Sequence, residues 1–149
     1  MTIQELWAAG RIPIVSGIFF ASGEVHTLIA SYESGGETRI SHGEVLSIDN
    51  ICLNEGVLYT SIDSLFQAVF LFDSRNIKIF CGEGGYGGDG FVCATENDAV
   101  LWMAFFEYSN PFMKAEQDGG YLIVKNNCDE EWRFPIDNPQ DVSVTASSL

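Results

Sequence analysis

The sequence predicts an α+β domain: a twisted, mostly antiparallel sheet, one main helix over about residues 62–72 packed on it, and a short helix at the N-terminus. Three observations carry this. Val100–Phe106 is a run of seven apolar residues, three of them aromatic, ended by Glu107 and a Ser109-Asn110-Pro111 turn. A short aromatic-rich run closed by a turn reads as a strand, and apolar residues on both its faces put it inside a sheet. Ile62, Leu65, Phe66, Val69 and Phe70 recur at i, i+3, i+4, i+7 and i+8, the spacing of an amphipathic helix. Glycine pairs at Gly35-Gly36 and Gly119-Gly120 separate runs of strand character, as hairpin turns do.

In order along the chain, Thr2-Ile-Gln-Glu5 has the spacing of a capping box, so a helix runs to about Ala9 and closes at Gly10. Arg11–Ala21 reads as one strand, with Pro13 placing that end at a sheet edge. Residues 25–33 and 37–46 pair about Gly35-Gly36, so that opposite positions sum to 71 and His26 and His42 fall on opposite faces. Residues 57–60 are a further strand. Ser61 is the expected N-cap of the main helix, which ends at Asp73-Ser-Arg-Asn76. Residues 77–81 and 91–94 are strands on either side of a glycine-rich loop. The 100–106 run follows, with a helix from near Thr95 as its rival reading. Residues 112–117 and 121–126 form a second hairpin, with Met113, Ala115, Leu122 and Val124 inward. Trp132, Phe134 and Ile136 alternate as a last strand, and residues from about 138 are expected to fray. Residues 1–149 contain no repeat or linker and read as one domain.

Composition narrows function by exclusion. The chain has 21 Asp and Glu against 7 Lys and Arg, a formal net charge of -14. Residues 1–94 hold 11 acids and 4 bases and residues 95–149 hold 10 and 3, so each part carries -7 and the negative field belongs to the whole surface. Such a field repels nucleic acid and anionic membrane and attracts basic partners. Residues 12–21 are apolar but follow Glu5 and Arg11 and contain Pro13 and Gly17, which is unlike a signal peptide. The expectation is a cytoplasmic protein with Cys52, Cys81, Cys93 and Cys128 as buried, reduced thiols. No two cysteines have C-x-x-C spacing, and no motif for a metal, cofactor or catalytic triad is present.

Two places combine carboxylates with an aromatic ring. Gly82-Glu-Gly-Gly-Tyr-Gly87 fits G-x-G-x-x-G, but a dinucleotide site needs that pattern to open a helix, and here a strand follows. Glu83 and Asp89 would also repel a phosphate. The loop therefore reads as a hairpin loop or as a recognition loop with Tyr86 as its anchor. Asp129, Glu130 and Glu131 beside Trp132 read as a solvated turn or as a contact for a Lys/Arg-rich surface.

The stretches Trp102-Met-Ala-Phe-Phe-Glu-Tyr-Ser-Asn-Pro-Phe112 and Trp132-Arg-Phe-Pro135 resemble bacterial polymorphic-toxin immunity proteins. The resemblance is to a class, covers mainly the last third of the chain and carries no binding residues with it. It implies an inhibitor that neutralises a basic toxin domain and is not an enzyme. The coincidence of carboxylates with an aromatic at both places, together with the acidic balance, suggests partner-binding residues at Glu83, Tyr86, Asp89, Asp129, Glu130, Glu131 and Trp132, with no cofactor and no metal. The alternatives are a small enzyme or ligand-binding domain without a recognisable motif, and a nucleic-acid mimic of the anti-restriction type.

Overall fold

The structure, a computed structural model, describes residues 1–32 and 36–146. Helix α1 (Ile3–Ala9) is built as its sequence dictates: the Glu5 amide donates to Thr2 Oγ1 and the Thr2 amide to Glu5 Oε1, both at 3.1 Å. Gly10 closes it in the left-handed conformation. Strands β1 (Arg11–Pro13), β2 (Gly17–Phe20), β3 (Glu24–Tyr32) and β4 (Thr38–Ser47) lead to a second short helix, α2 (Ile48–Leu53), capped by Ser47. Strands β5 (Tyr59–Phe72), β6 (Arg75–Gly84), β7 (Gly90–Glu96) and β8 (Ala99–Phe106) complete an eight-stranded sheet in the order β1-β5-β6-β7-β8-β2-β3-β4. A second sheet, β12-β11-β10-β9, is made from β9 (Phe112–Asp118), β10 (Tyr121–Asn126), β11 (Glu130–Pro135) and β12 (Ser143–Ala146). Residues 143–146, past a 3-10 turn at Pro139–Asp141, thus pair along β11.

The expected main helix does not exist, and the α+β class gives way to a mostly β protein. Residues 62–72 lie inside β5, a 14-residue strand paired with β6. The helical spacing arose because β5 is apolar on both faces and changes phase at a bulge between Ser64 and Phe66. Ile62 belongs to one core, while Phe66, Phe70 and Phe72 pack on the other at period two. Val69 and Leu71, which a helix would have buried with its stripe or flank, are each 59% exposed. Asp73 and Ser74 are the two residues of a hairpin turn, both at positive φ (46° and 67°) as a primed turn requires.

The β8 run is a central strand between β7 and β2, buried on both faces. Trp102, Ala104 and Phe106 face the small sheet and join Leu122, Val124, Trp132 and Phe134 in one core. Met103 and Phe105 face the opposite way, into a core closed by Ile3 and Leu6 of α1 and Ile48 and Ile51 of α2. Burying apolar side chains on both sides of one sheet is what holds three layers together, at roughly 25 cal/mol per Å² removed from water.

Two registers differ from expectation for the same reason. In the β3–β4 hairpin one residue, Thr27, faces two, Gly43 and Glu44, so His26 pairs with Val45 but Leu28 with His42. The bulge brings His42 onto the face of Leu28 and His26, where sums of 71 had set the histidines apart. The Ser34–Gly35 part of that turn lies outside the described residues. In β9–β10 a shift between Lys125 and Asn126 turns Phe112 inward and leaves Met113 exposed.

The expected single strand over residues 11–21 is two strands, and this break shapes the molecule. β1 and β2 are the first and sixth strands of the order, separated by three residues. Five inter-strand steps of about 4.8 Å make roughly 24 Å along a flat sheet. Four residue steps from Pro13 to Gly17 reach at most about 14 Å. The sheet must therefore curl, bringing its β1 edge round toward β2. Residues 14–16 bridge the seam: the Ile14 amide donates to the Leu58 carbonyl at 2.8 Å, and the Glu107 amide to Ser16 Oγ at 3.0 Å.

Candidate functional site

A seam between two diverging strands leaves space, and three clefts open there, of about 410, 290 and 360 Å³. All three are lined by both Ile14 and Glu107. The first runs along Thr27–Ala30 of β3, the second under Tyr86 and Tyr108, and the third toward Leu46, Ile51 and Val57. Their walls are mainly apolar, and no Lys, Arg or His is among the described residues that line them. Glu107 itself is half-buried, and no partner of its carboxylate is found among the described residues. A smaller cleft of about 250 Å³ lies between the Phe72-Asp73 turn and Gly119–Tyr121. There the nearby Asp137 is already paired with Arg75 at 2.9 Å.

The middle cleft is the most distinctive. Tyr86 and Tyr108 stand at its mouth, 71% and 73% exposed, with Leu58 beside them. Phe105 and Asp89, each 1% exposed, form the floor. Asp89 Oδ1 accepts the Gly84 amide at 2.9 Å, while Asp89 Oδ2 is buried with no hydrogen-bond partner. Position 84 must be glycine, because a β-carbon there would overlap the Asp89 carboxylate. Gly82 has a similar duty: a side chain would strike the Asp63 carbonyl at the β5 bulge. The glycine-rich stretch is thus the close-packed end of the β6–β7 hairpin, and β7 follows it as a strand.

Comparison of the chain with models of known protein families, with curated proteins and with solved structures finds no match. The site is therefore read from its geometry.

Tyr86 and Asp89 reach the cleft; the other expected residues do not line it. Glu83 sits in β6 opposite Asp63. Asp129 is an exposed turn residue at φ 61°. Glu130 is held within the fold: Thr38 Oγ1 donates to it at 2.6 Å and Asn126 Nδ2 at 2.8 Å. Glu131 pairs with Lys125 at 3.5 Å. Trp132 is fully buried, its ring 4.7 Å from Phe106 and 5.3 Å from Phe112, so it is core and not a surface anchor.

The two expected spots nevertheless share one end of the molecule, laced through the 107–111 turn. Asn126 Nδ2 also donates to the Ser109 carbonyl at 2.8 Å, and the Asn110 amide donates to the Gly88 carbonyl at 2.9 Å. Tyr32 joins the same end, donating its hydroxyl to the Tyr108 carbonyl at 3.2 Å. Burial, and then the charge of Glu130, raise the Tyr32 phenol above its ordinary value. Residues missed from sequence are Ile14, Leu58, Glu107 and Tyr108. Only Glu107 gave a signal, as the acid that abruptly ends an apolar strand.

Among the described residues no three of His, Cys, Asp and Glu lie close enough to hold a metal ion. Cys81 and Cys93 are buried on opposite faces of the large sheet, and burial pushes the Cys81 thiol up to about 12 and raises Cys93 as well. Cys128, expected inside, is exposed. No helix among the described residues is long and apolar enough to cross a membrane.

Proposed function

We propose that the chain is an acidic inhibitor that binds a basic protein partner through the end of the sandwich bearing the Glu107 clefts, and that this partner is a toxin domain to which it confers immunity. One observation carries the reading: two highly exposed tyrosines flank a cleft whose two carboxylates, Glu107 and Asp89, face no basic residue among the described residues that line it. Exposed aromatics beside unmatched charge are what interfaces use, the rings for binding energy and the carboxylates for steering and specificity. The net charge of -14 supports the choice of a basic partner. A cytoplasmic location in a bacterium goes with this role.

The test is binding kinetics against a candidate toxin domain encoded beside this gene, at two salt concentrations. Tyr86→Ala and Tyr108→Ala should raise the dissociation rate at least tenfold, the loss typical of an anchor residue. Asp129→Asn, at an exposed turn on the same end of the molecule, should slow association, with an effect that shrinks as salt is added. No binding, or tight binding indifferent to all three substitutions and to salt, refutes the proposal.

A further inference from the structure

The middle cleft combines features that together specify a ligand class. It is mainly apolar, with Ile14, Leu58 and Phe105 among its lining residues. Its charged groups are carboxylates alone, Glu107 and Asp89. Asp89 is almost fully buried beneath the cleft, and its oxygen without a partner among the described residues is closed to solvent, so its charge acts on the cleft through space. Two tyrosine rings stand at the mouth, where a cation can lie over a ring face. An anion would meet only like charge, and a neutral apolar group would leave both carboxylates unmatched. A compact cation on an aliphatic stem satisfies all of these at once: methylene groups along the walls, charge toward the carboxylates.

We infer that the Tyr86–Tyr108 cleft is the receptor for one guanidinium or ammonium group, the side chain of a single arginine or lysine that the partner inserts as its anchor. The inference rests on the inhibitor reading for the source of that side chain; the chemistry of the cleft stands on its own geometry. Glu107 is the principal counter-charge, since it borders all three clefts and its carboxylate is spent on no partner among the described residues. Asp89 supports from the floor, held in place by the Gly84 amide.

The experiment is amide chemical-shift mapping of the whole chain with n-butylguanidinium chloride, and with N-butylurea as its uncharged isostere. The guanidinium should saturate shifts at Tyr86, Gly87, Glu107 and Tyr108, and the urea should give none. Glu107→Gln should weaken the guanidinium about tenfold or more, the loss expected when a charged hydrogen-bonding pair becomes neutral. Its spectrum should otherwise match the parent, because the carboxylate bonds to none of the described residues. Leu58→Ala, an exposed wall position, should weaken binding less. Equal binding of the urea, an unchanged affinity in Glu107→Gln, or no saturable shift overturns the inference.

The peptide acetyl-Gly-Arg-Gly-amide should bind at least as well as the small cation. If it fails where the small cation binds, the cleft serves a free amine or guanidine and not a protein side chain, which overturns the assignment. The two readings fail separately. A candidate toxin domain that binds parent and Glu107→Gln alike sinks the cleft and leaves the inhibitor standing. Cation binding without toxin binding does the reverse.

Discussion

Two buried tryptophans permit a sharp test of the packing, because one substitution made at both sites should have different costs. Trp102 and Trp132 are 3% and 0% exposed, in the same core and each against aromatic rings. Trp→Phe at either removes a similar ring volume, so the cavity contributions largely cancel in the comparison. The indole N–H groups differ. Trp102 Nε1 donates to the Ile136 carbonyl at 3.0 Å, whereas Trp132 Nε1 is buried with no partner. Trp102→Phe leaves a buried carbonyl unpaired, costing about 1–3 kcal/mol beyond the lost packing. Trp132→Phe removes a donor that was unsatisfied, which returns a similar amount and offsets the cavity. Trp102→Phe should therefore be the worse by at least about 2 kcal/mol. Trp132→Ala, by contrast, should cost about 3–5 kcal/mol. Urea unfolding followed by far-ultraviolet circular dichroism reads all three without depending on the fluorophore being removed. Equal costs for the two phenylalanine variants, or a larger one at 132, would refute the assignment of hydrogen bonds in this core.

Val69→Thr and Leu71→Thr should each change stability by less than about 0.5 kcal/mol, since both side chains are mostly exposed on β5; a cost above about 2 kcal/mol by denaturant titration would restore a buried helical stripe. Gly84→Ala should lose about 1–3 kcal/mol by displacing the Asp89 carboxylate and its bond to the Gly84 amide, and in a double-mutant cycle Asp89→Ala should recover much of that loss. Additive costs would show that the two do not meet. Stability should fall as pH rises from about 9 toward 12. The unfolded Cys81 thiol ionises near its ordinary value, while the folded one holds its proton to about 12, so the folded state binds more protons across that window. Cys81→Ala should flatten the alkaline limb of a thermal-melt series, and an unchanged slope would place the effect elsewhere.

What the sequence made legible was local. Thr2, Glu5 and Gly10 specify α1 through contacts within nine residues, Gly119-Gly120 marks the β9–β10 turn, and the β8 run is too apolar on both faces to be anything but central. What misled was also local: the apolar spacing of residues 62–70 fits a helix because a bulge at Leu65 shifts a period-two pattern into near-helical phase. Helix α2 had Ser47 as cap and Asp49 in its first turn, but six residues give too little periodicity to announce it. Trp132 stood beside three acids and read as a surface residue; only the pairing of β11 between β10 and β12 turns it inward. The cleft lay furthest out of reach. Ile14, Leu58, Tyr86 and Glu107 come from four separate stretches, joined by a change of strand position at residues 14–16 that no short-range pattern encodes.

That change of position also sets a timetable. During synthesis residues 1–20 leave the ribosome before residues 21–149, yet β1 waits for residues 59–61 and β2 for residues 102–105 before either has a full set of neighbours. The α1 core waits likewise, because Gln4 accepts the Val100 amide at 2.9 Å. Pairings so distant in sequence close large loops and form slowly. β2 can pair with β3 early, but its other side and the Val100 contact of α1 stay open until β8 exists, so a nascent chain cut short before about residue 106 leaves Ile18 and Phe19 incompletely packed.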